Sequence, residues 1–175
     1  MSGGNIFGIC GGLQILGESL EDPLGLEHSL KYKSSYIFEG LKLLPIKTIF
    51  ETRKSLSRKN VTAIWPRQVN ISGFELHHGQ TIPTTERESH PEALCLIPGL
   101  GWVSNKDSPF NVSGTYLHGI FDNGEWRRLW LNKIRASSGL QSLPLTKENY
   151  SQQRENLIDR LTDAFKEHVD LEKIL

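Results

Sequence analysis

Cys10 has the surroundings that most strongly indicate chemistry. It follows an apolar run at residues 5–9 and is flanked by Gly8, Gly11 and Gly12. A thiol at a glycine-rich bend between a strand and a helix has the form of a nucleophile elbow, because glycines permit a strained backbone and a close approach of neighbouring chain. The N-terminus of the following helix favours the thiolate, and its N–H groups can receive an oxyanion. The alternative is a buried cysteine beside a glycine turn.

A nucleophilic cysteine needs a base, and His118 is the main candidate. It follows a predicted strand at residues 112–117 and precedes Gly119, so it lies at the carboxyl end of that strand. Open α/β sheets place their active sites at such ends, and we therefore expect Cys10 and His118 to converge on one rim. The alternative is a turn histidine that merely caps the strand.

The second cysteine and the other histidines are weaker candidates. Cys95 lies inside an apolar run and is predicted to be core. His77 and His78 end another predicted strand, where they can line the same cleft or form a half-exposed pair, which we favour for His78. The remaining histidines lie in polar or terminal segments and are expected to be solvated: His28, His90 and His168. No spacing of a zinc helix occurs, so no metal site is predicted.

The elements that would position these side chains follow from hydrophobic patterning. Strands are predicted at residues 5–9, 46–50, 61–65, 69–76, 93–97, 102–103 and 112–117. A short helix begins near Leu13 and is ended by Gly17 and the DPLG at residues 22–25. Helical spacing predicts one helix across residues 126–134, closed by Gly139, and another at residues 148–168. The polar stretches 28–40 and 84–91 are predicted to be irregular.

Composition limits the class of protein. The chain has 175 residues with 20 basic and 20 acidic side chains, which indicates one soluble globular domain and gives no basic field for nucleic acid. No apolar run approaches the ~18–20 residues of a membrane span. Two cysteines make neither a disulfide framework nor a zinc motif, and no signal-peptide pattern opens the chain. We therefore expect a reducing, cytoplasmic compartment.

Four segments resemble a known family. GICGGLQ at residues 8–14 is similar to the GxCxGxQ motif of class I glutamine amidotransferases. A narrower resemblance is to the cobyric acid synthases, and it extends along the whole chain with the motifs in the right order. The segments that carry it are GICGGLQILGE from residue 8, DPLGLE at 22–27, GFELHHG at 73–79 and GTYLHGIFDN at 114–123. Glutaminase subunits of peptidoglycan amidation share the CGG and YLHG elements. Cobyrinate a,c-diamide synthase is a second relative with a less similar cysteine motif.

This resemblance implies a fold and a chemistry. The fold is α/β of the class I amidotransferase, flavodoxin-like type, with a mixed or parallel sheet flanked by helices. Cys10 attacks the side-chain amide of glutamine to give a γ-glutamyl thioester and ammonia, and His118 moves the protons. The residues implied to hold glutamine and the oxyanion are Gly11, Gln14, His77 and Tyr116.

The resemblance also implies partners. Ammonia passes to a synthetase domain, where ATP and Mg²⁺ activate carboxylates of the corrin ring of adenosylcobyrinic acid a,c-diamide. No cofactor is implied for this chain itself. The synthetase domain and the opening strands of the glutaminase fold are expected to lie outside residues 1–175, because no GxxxxGK[ST] motif occurs and the cysteine strand begins almost at Met1. These residues are then a single domain, the C-terminal portion of the glutaminase.

One departure concerns the third catalytic residue. Many class I amidotransferases have a glutamate two residues after the histidine, but this chain has Ile120 there. The cobyric acid synthases also lack this glutamate. Glu75 and Asp122 are candidates to orient His118, although a structural or solvated role suits each better. Other functions stay open: a non-catalytic α/β partner of a synthetase, the glutaminase subunit of another amide ligase, or a cysteine peptidase or esterase.

Overall fold

The chain folds into two β-sheets and three α-helices in a computed structural model that describes residues 4–26, 35–84, 95–104, 111–145 and 150–169. The strands in these ranges are β1 (Ile6–Ile9), β2 (Ser19–Asp22), β3 (Tyr36–Glu39), β4 (Ile46–Ala63), β5 (Val69–Pro83), β6 (Cys95–Ile97), β7 (Gly101–Val103), β8 (Val112–Thr115) and β9 (Leu117–His118). The helices are α1 (Gly11–Leu16), α2 (Gly124–Ser137) and α3 (Tyr150–His168), with a 3₁₀ turn at Ile120–Asp122 before α2.

The strands are divided between a four-stranded and a five-stranded sheet. The first has the order β1-β8-β7-β6, with β1 and β8 parallel. The second has the order β3-β2-β4-β5-β9, in which β2 and β4 are parallel and the other pairs antiparallel. These mixed sheets with flanking helices confirm the predicted α/β class. The strand predicted at residues 112–117 is split, because the chain leaves β8 at Tyr116 and joins the second sheet as β9.

The β4–β5 pair is a long ribbon that the sequence predicted only in part. Patterning indicated separate strands at residues 46–50 and 61–65, whereas β4 is one strand of 18 residues. Its middle segment, ETRKSLSRKN at residues 51–60, contains no buried side chain: residues 51–54 are exposed, and residues 55–60 alternate between half-buried and exposed. A strand without a buried face has no hydrophobic period to detect, which is why the prediction was wrong there. For the same reason β5 continues past residue 76 to Pro83.

Two short strands were missed. Gly17 ends α1 as predicted, but residues 19–22 then form β2, which pairs with β3 and β4. SLED has no apolar alternation, so its strand conformation comes from its neighbours and not from its own sequence. Residues 36–39 form β3 inside the stretch that was predicted to be irregular. The remainder of that stretch, residues 28–34, lies outside the described residues, as do 85–91, 93–94 and 148–149.

The hydrophobic core joins both sheets to α1 and α2. An aromatic group packs against β1: the ring of Phe7 lies 5.1 Å from Phe121, 5.6 Å from Trp126 and 5.6 Å from Trp130, all edge to face. Trp126 is fully buried and donates its indole N–H to the carbonyl oxygen of Trp65 at 3.0 Å. These contacts fix α2 against the strand that precedes Cys10.

The two long helices match their predicted positions. Gly139 follows α2 with a φ of 71°, and its N–H bonds the carbonyl of Ala136, as in a helix C-cap. The apolar stripe of α3 is exposed rather than packed into the core. Cys95 is half-buried on β6 rather than enclosed, and His168 is exposed as predicted. None of the helices in the described part of the chain has the length and apolarity that a bilayer span requires.

Candidate active site

Cys10 lies immediately after β1, beside the end of β8. Ile9 pairs with Thr115 in the parallel ladder, and the Cys10 N–H donates to the Thr115 carbonyl at 2.9 Å. The backbone of Cys10 has φ 53° and ψ −115°, a conformation that is strained for a residue with a side chain and typical of functional turns. The predicted bend at Cys10 is therefore confirmed.

Two glycines bring α1 directly against this bend. Gly8 and Gly114 pair in register, and a Cβ on Gly8 would lie 2.6 Å from the backbone carbon and oxygen of Gly12. A Cβ on Gly114 would lie 2.7 Å from the Gly8 carbonyl oxygen. Real Cβ atoms do not approach so closely, so any side chain at either position would displace α1 or the strand pair.

The thiol of Cys10 donates to the carbonyl oxygen of Leu76 on β5, with a sulfur–oxygen distance of 3.3 Å. Gly11 and Gly12 are exposed, and no atom lies within 4 Å of a Cβ placed on either. The start of α1 is thus open to an approaching ligand. Gln14 is almost completely buried on the same helix.

His118 is held against β5 by the short strand β9. It pairs with Phe74 in the antiparallel β5–β9 ladder, and the two rings stack with centroids 4.8 Å apart and an angle of 10° between their planes. Within the described residues, Nε2 of His118 is buried and has no hydrogen-bond partner. A buried ring nitrogen without a partner is rare in folded proteins, so Nε2 of His118 stands out among the described residues.

The turn after His118 is fixed by Asn123. Its side-chain amide donates to the carbonyls of Ser72, Gly119 and Ile120 at 2.9, 3.1 and 3.1 Å, and its oxygen accepts from the Ser72 N–H at 2.9 Å. Gly119 has a φ of 78°, which a glycine adopts without strain. This amide therefore ties the turn that carries His118 to the neighbouring strand.

Neither acidic candidate orients His118. The Glu75 carboxylate instead accepts from His77 Nε2 at 2.7 Å and from Lys59 Nζ at 3.0 Å. Burial raises the pKa of Glu75, but hydrogen bonds from Lys59, His77 and Ser55 and the charge of Lys59 outweigh it and hold the pKa below its ordinary value. The carboxylate of Asp122 lies near Gly119, and no hydrogen bond joins it to His118 in the described structure.

His77 and Tyr116 form a unit of their own. Their rings stack with centroids 3.7 Å apart, and the Tyr116 hydroxyl hydrogen bonds the Thr81 hydroxyl at 2.5 Å. Both line a cavity of about 630 Å³ beside β4 and β5, together with Glu75 and Lys59. The predicted site residues thus lie in two groups. His77 and Tyr116 line this cavity, whereas the others do not: Cys10, Gly11, Gln14 and His118.

Three residues that contact the candidate machinery were not singled out by the sequence. Leu76 acts through its backbone carbonyl, and Phe74 is an ordinary strand residue by type. Asn123 is part of the GTYLHGIFDN segment, but nothing local indicates which groups its amide binds. For the described ranges, no three His, Cys, Asp or Glu side chains gather into a possible metal site.

This chain is similar to a known domain family and to several known proteins. Residues 1–126 match the CobB/CobQ-like glutamine amidotransferase domain. A cobyric acid synthase of Prochlorococcus marinus strain SARG is 55% identical over 174 residues, which cover 99% of this chain and 34% of that protein. A second, from Prochlorococcus marinus strain MIT 9313, is 49% identical over 176 residues, with 99% and 35% covered. One from Synechococcus sp. strain CC9605 is 47% identical over 174 residues, with 99% and 34% covered. The chain spans about a third of the length of these relatives.

Proposed function

Because this chain belongs to the CobB/CobQ-like glutamine amidotransferase domain family, we propose that it hydrolyses glutamine with Cys10 as nucleophile and His118 as proton carrier. The ammonia released would serve the amidation of corrin-ring carboxylates, as in a cobyric acid synthase. The observation that carries this proposal is the strained, glycine-flanked bend at Cys10, beside the parallel strand that leads to His118.

The placement of both residues along β5 supports their pairing. The Cys10 thiol contacts the carbonyl of Leu76, and the His118 ring stacks on Phe74, two residues earlier on that strand. Residues two apart on a strand are separated by about 7 Å, so the sulfur, at the Leu76 carbonyl, and the imidazole, on the Phe74 ring, lie beside the same short stretch of β5. A glutamine amide seated over this stretch could therefore meet the sulfur and the imidazole together.

The reaction proceeds in two halves. The imidazole of His118 takes the thiol proton while the sulfur of Cys10 bonds the amide carbon, and the oxyanion faces the open N–H groups at the start of α1. His118 then protonates the amine and the C–N bond breaks. Ammonia departs, and the γ-glutamyl group remains on Cys10 as a thioester. In the second half water attacks the thioester carbon, His118 takes its proton and returns it to the sulfur, and glutamate departs.

The partner in this proposal is a synthetase domain of the cobyric acid synthase type. The proposed relation rests on the relatives, which are about three times as long as this chain and are cobyric acid synthases. ATP and Mg²⁺ would act on that domain, where they activate a corrin carboxylate toward ammonia. Free ammonia is mostly protonated at neutral pH, so its production in a site close to the acceptor increases the usable fraction.

A glutaminase assay tests the proposal. Glutamate release is measured for this chain alone and together with the synthetase part of the relative from Prochlorococcus marinus strain SARG, and labelling by a diazo-ketone glutamine analogue is followed by mass spectrometry. We expect turnover and labelling at Cys10, and their loss by about 10³-fold or more in Cys10→Ala. Cys95→Ala, at the other cysteine, is the matched control and should behave as wild type. Absence of turnover in both settings would instead favour a non-catalytic partner module.

A further inference from the structure

Among the described residues, His118 has an aromatic ring partner, Phe74, but no carboxylate partner. No acidic side chain in the described residues hydrogen bonds His118, and the position two residues after it is the buried Ile120. Phe74 covers one face of the imidazole at 4.8 Å with the planes only 10° apart. We propose that Phe74 is the positioning residue for His118, an assignment that rests on the proposed glutaminase function.

The backbone makes this stack a fixed feature. Phe74 and His118 are direct partners in the β5–β9 ladder, so their side chains leave the sheet at the same point and on the same face. The adjacent Gly73 brings the two strands together, because a Cβ there would lie 2.9 Å from Cγ of Leu117. The orientation of the imidazole is thus set by register and ring contact rather than by a hydrogen bond.

The stack suits the proton transfers required of His118. A flat neighbour restricts rotation of the imidazole about its last side-chain torsion, which is otherwise broad. The negative face of the benzyl ring also attracts the imidazolium that forms when the thiol proton is taken. Stacking occupies neither ring nitrogen, so it leaves both free of a competing hydrogen bond, and Nε2 has no partner among the described residues.

Because Phe74 is exposed, its effect on His118 can be measured apart from any contribution to the hydrophobic core. The side chain is 42% exposed and lies outside the cluster of buried apolar residues. Truncation of a residue so exposed leaves no internal cavity, so the stability cost is small. Loss of activity without loss of stability would therefore report on His118.

The test compares a flat and a branched side chain at position 74. Each variant is assayed in the presence of the synthetase part. In Phe74→Leu we expect kcat for glutamine hydrolysis to fall about tenfold while KM changes less than about twofold. Phe74→Tyr restores the flat ring and should stay within about threefold of wild type. The matched control is Phe38→Leu, since Phe38 is also 42% exposed and lies on β3; it should leave kcat unchanged.

An independent readout is the NMR signal of the His118 ring protons, which a stacked ring shifts upfield. Phe74→Leu should remove that shift, and Phe74→Tyr should keep it. Wild-type kcat in Phe74→Leu, or equal loss in the leucine and tyrosine variants, would overturn the positioning role alone. A wild-type chain inactive with its partner, with the NMR shift intact, would instead overturn the glutaminase proposal on which it rests.

Discussion

The backbone of Gly73 lies directly against the carbonyl oxygen of His118, with no room between them for a side chain. The approach occurs where β5 meets the two-residue strand β9, one position before the Phe74–His118 pair. Such a short strand has few ladder bonds of its own, so its position depends on close contact with its neighbour. The glycine is therefore part of what places the candidate base.

We expect Gly73→Ala to displace His118. The added methyl group overlaps the His118 carbonyl and Leu117, which should lower the free energy of unfolding by about 1–3 kcal/mol. Misplacement of a reacting group by about 1 Å can cost roughly 10²-fold in rate, so glutamine hydrolysis should fall more than stability alone explains. Urea unfolding and glutamate release measure the two effects. Gly4→Ala, where no atom lies within 4 Å of the new Cβ, is the control, and equal activity of both variants would contradict the prediction.

Loss of the Asn123 amide should destabilise the turn that follows His118. Asn123→Ala removes four hydrogen bonds and leaves backbone groups of Ser72, Gly119 and Ile120 without that partner. The Gly119 and Ile120 carbonyls keep backbone N–H donors from Asp122 and residue 123. The groups that lose their partner are therefore the N–H and the carbonyl of Ser72, and we expect a loss of about 1–3 kcal/mol in the free energy of unfolding. Asn70→Ala is the comparison, since its amide bonds Thr62 on an exposed surface, and it should cost less than about 1 kcal/mol. Similar losses for both would mean that Asn123 does not hold the turn.

The sequence predicted the bend at Cys10 and the position of His118 because both depend on local signals. Glycines beside a cysteine, and a histidine after a β-branched strand, are visible without any knowledge of the fold. For Glu75 it left open an orienting role but favoured a structural one, and the structure agrees with the favoured role: the alternation of β5 directs Glu75 to His77 and Lys59 and directs Phe74 to His118. That choice depends on which strand lies beside β5, and β9 is too short to predict from two residues.

The same limit explains the strands that were missed. β2 and β3 are strands because β4 provides a partner, and the middle of β4 is a strand because β5 does. Their sequences have no buried face to impose a period. By contrast, β1, β8 and α2 contact the core through Phe7, Val112 and Trp126, and such residues identified them, although Ile6 and Ile9 of β1 are exposed. Local sequence thus locates what is buried, whereas pairing determines the rest.

Removal of the His118 imidazole should separate glutamine use from ammonia use. In His118→Ala, together with the synthetase partner, we expect glutamine-dependent amide formation to fall by about 10²–10⁴-fold, the usual contribution of a general acid–base group. Ammonium chloride supplies the nucleophile directly and should restore amide formation. Product analysis with each nitrogen source measures both. His168→Ala, an exposed histidine on α3, should affect neither, and normal glutamine use by His118→Ala would exclude this residue from the mechanism.

Glu75 is buried and pairs with the partly exposed Lys59, and we expect this pair to make stability depend on pH. The pKa of Glu75 lies below its ordinary value in the folded protein, so in acid the unfolded chain binds more protons at this group and stability rises with pH. The contribution of Glu75 is complete above pH about 5 and is lost as the pH falls through the folded-state pKa. Glu75→Gln should therefore be less stable than wild type at neutral pH, by about 1–3 kcal/mol.

That difference should shrink as the pH falls through the folded-state pKa of Glu75, because the wild-type carboxyl then becomes protonated as well. Urea unfolding of both proteins at several pH values measures it. Glu39→Gln, which removes an exposed ion pair with Lys42, is the control and should change stability little at any pH, because exposed pairs contribute little. A constant difference between Glu75→Gln and wild type across this range would show that the carboxylate charge, and its contacts with Lys59 and His77, do not stabilise the folded state.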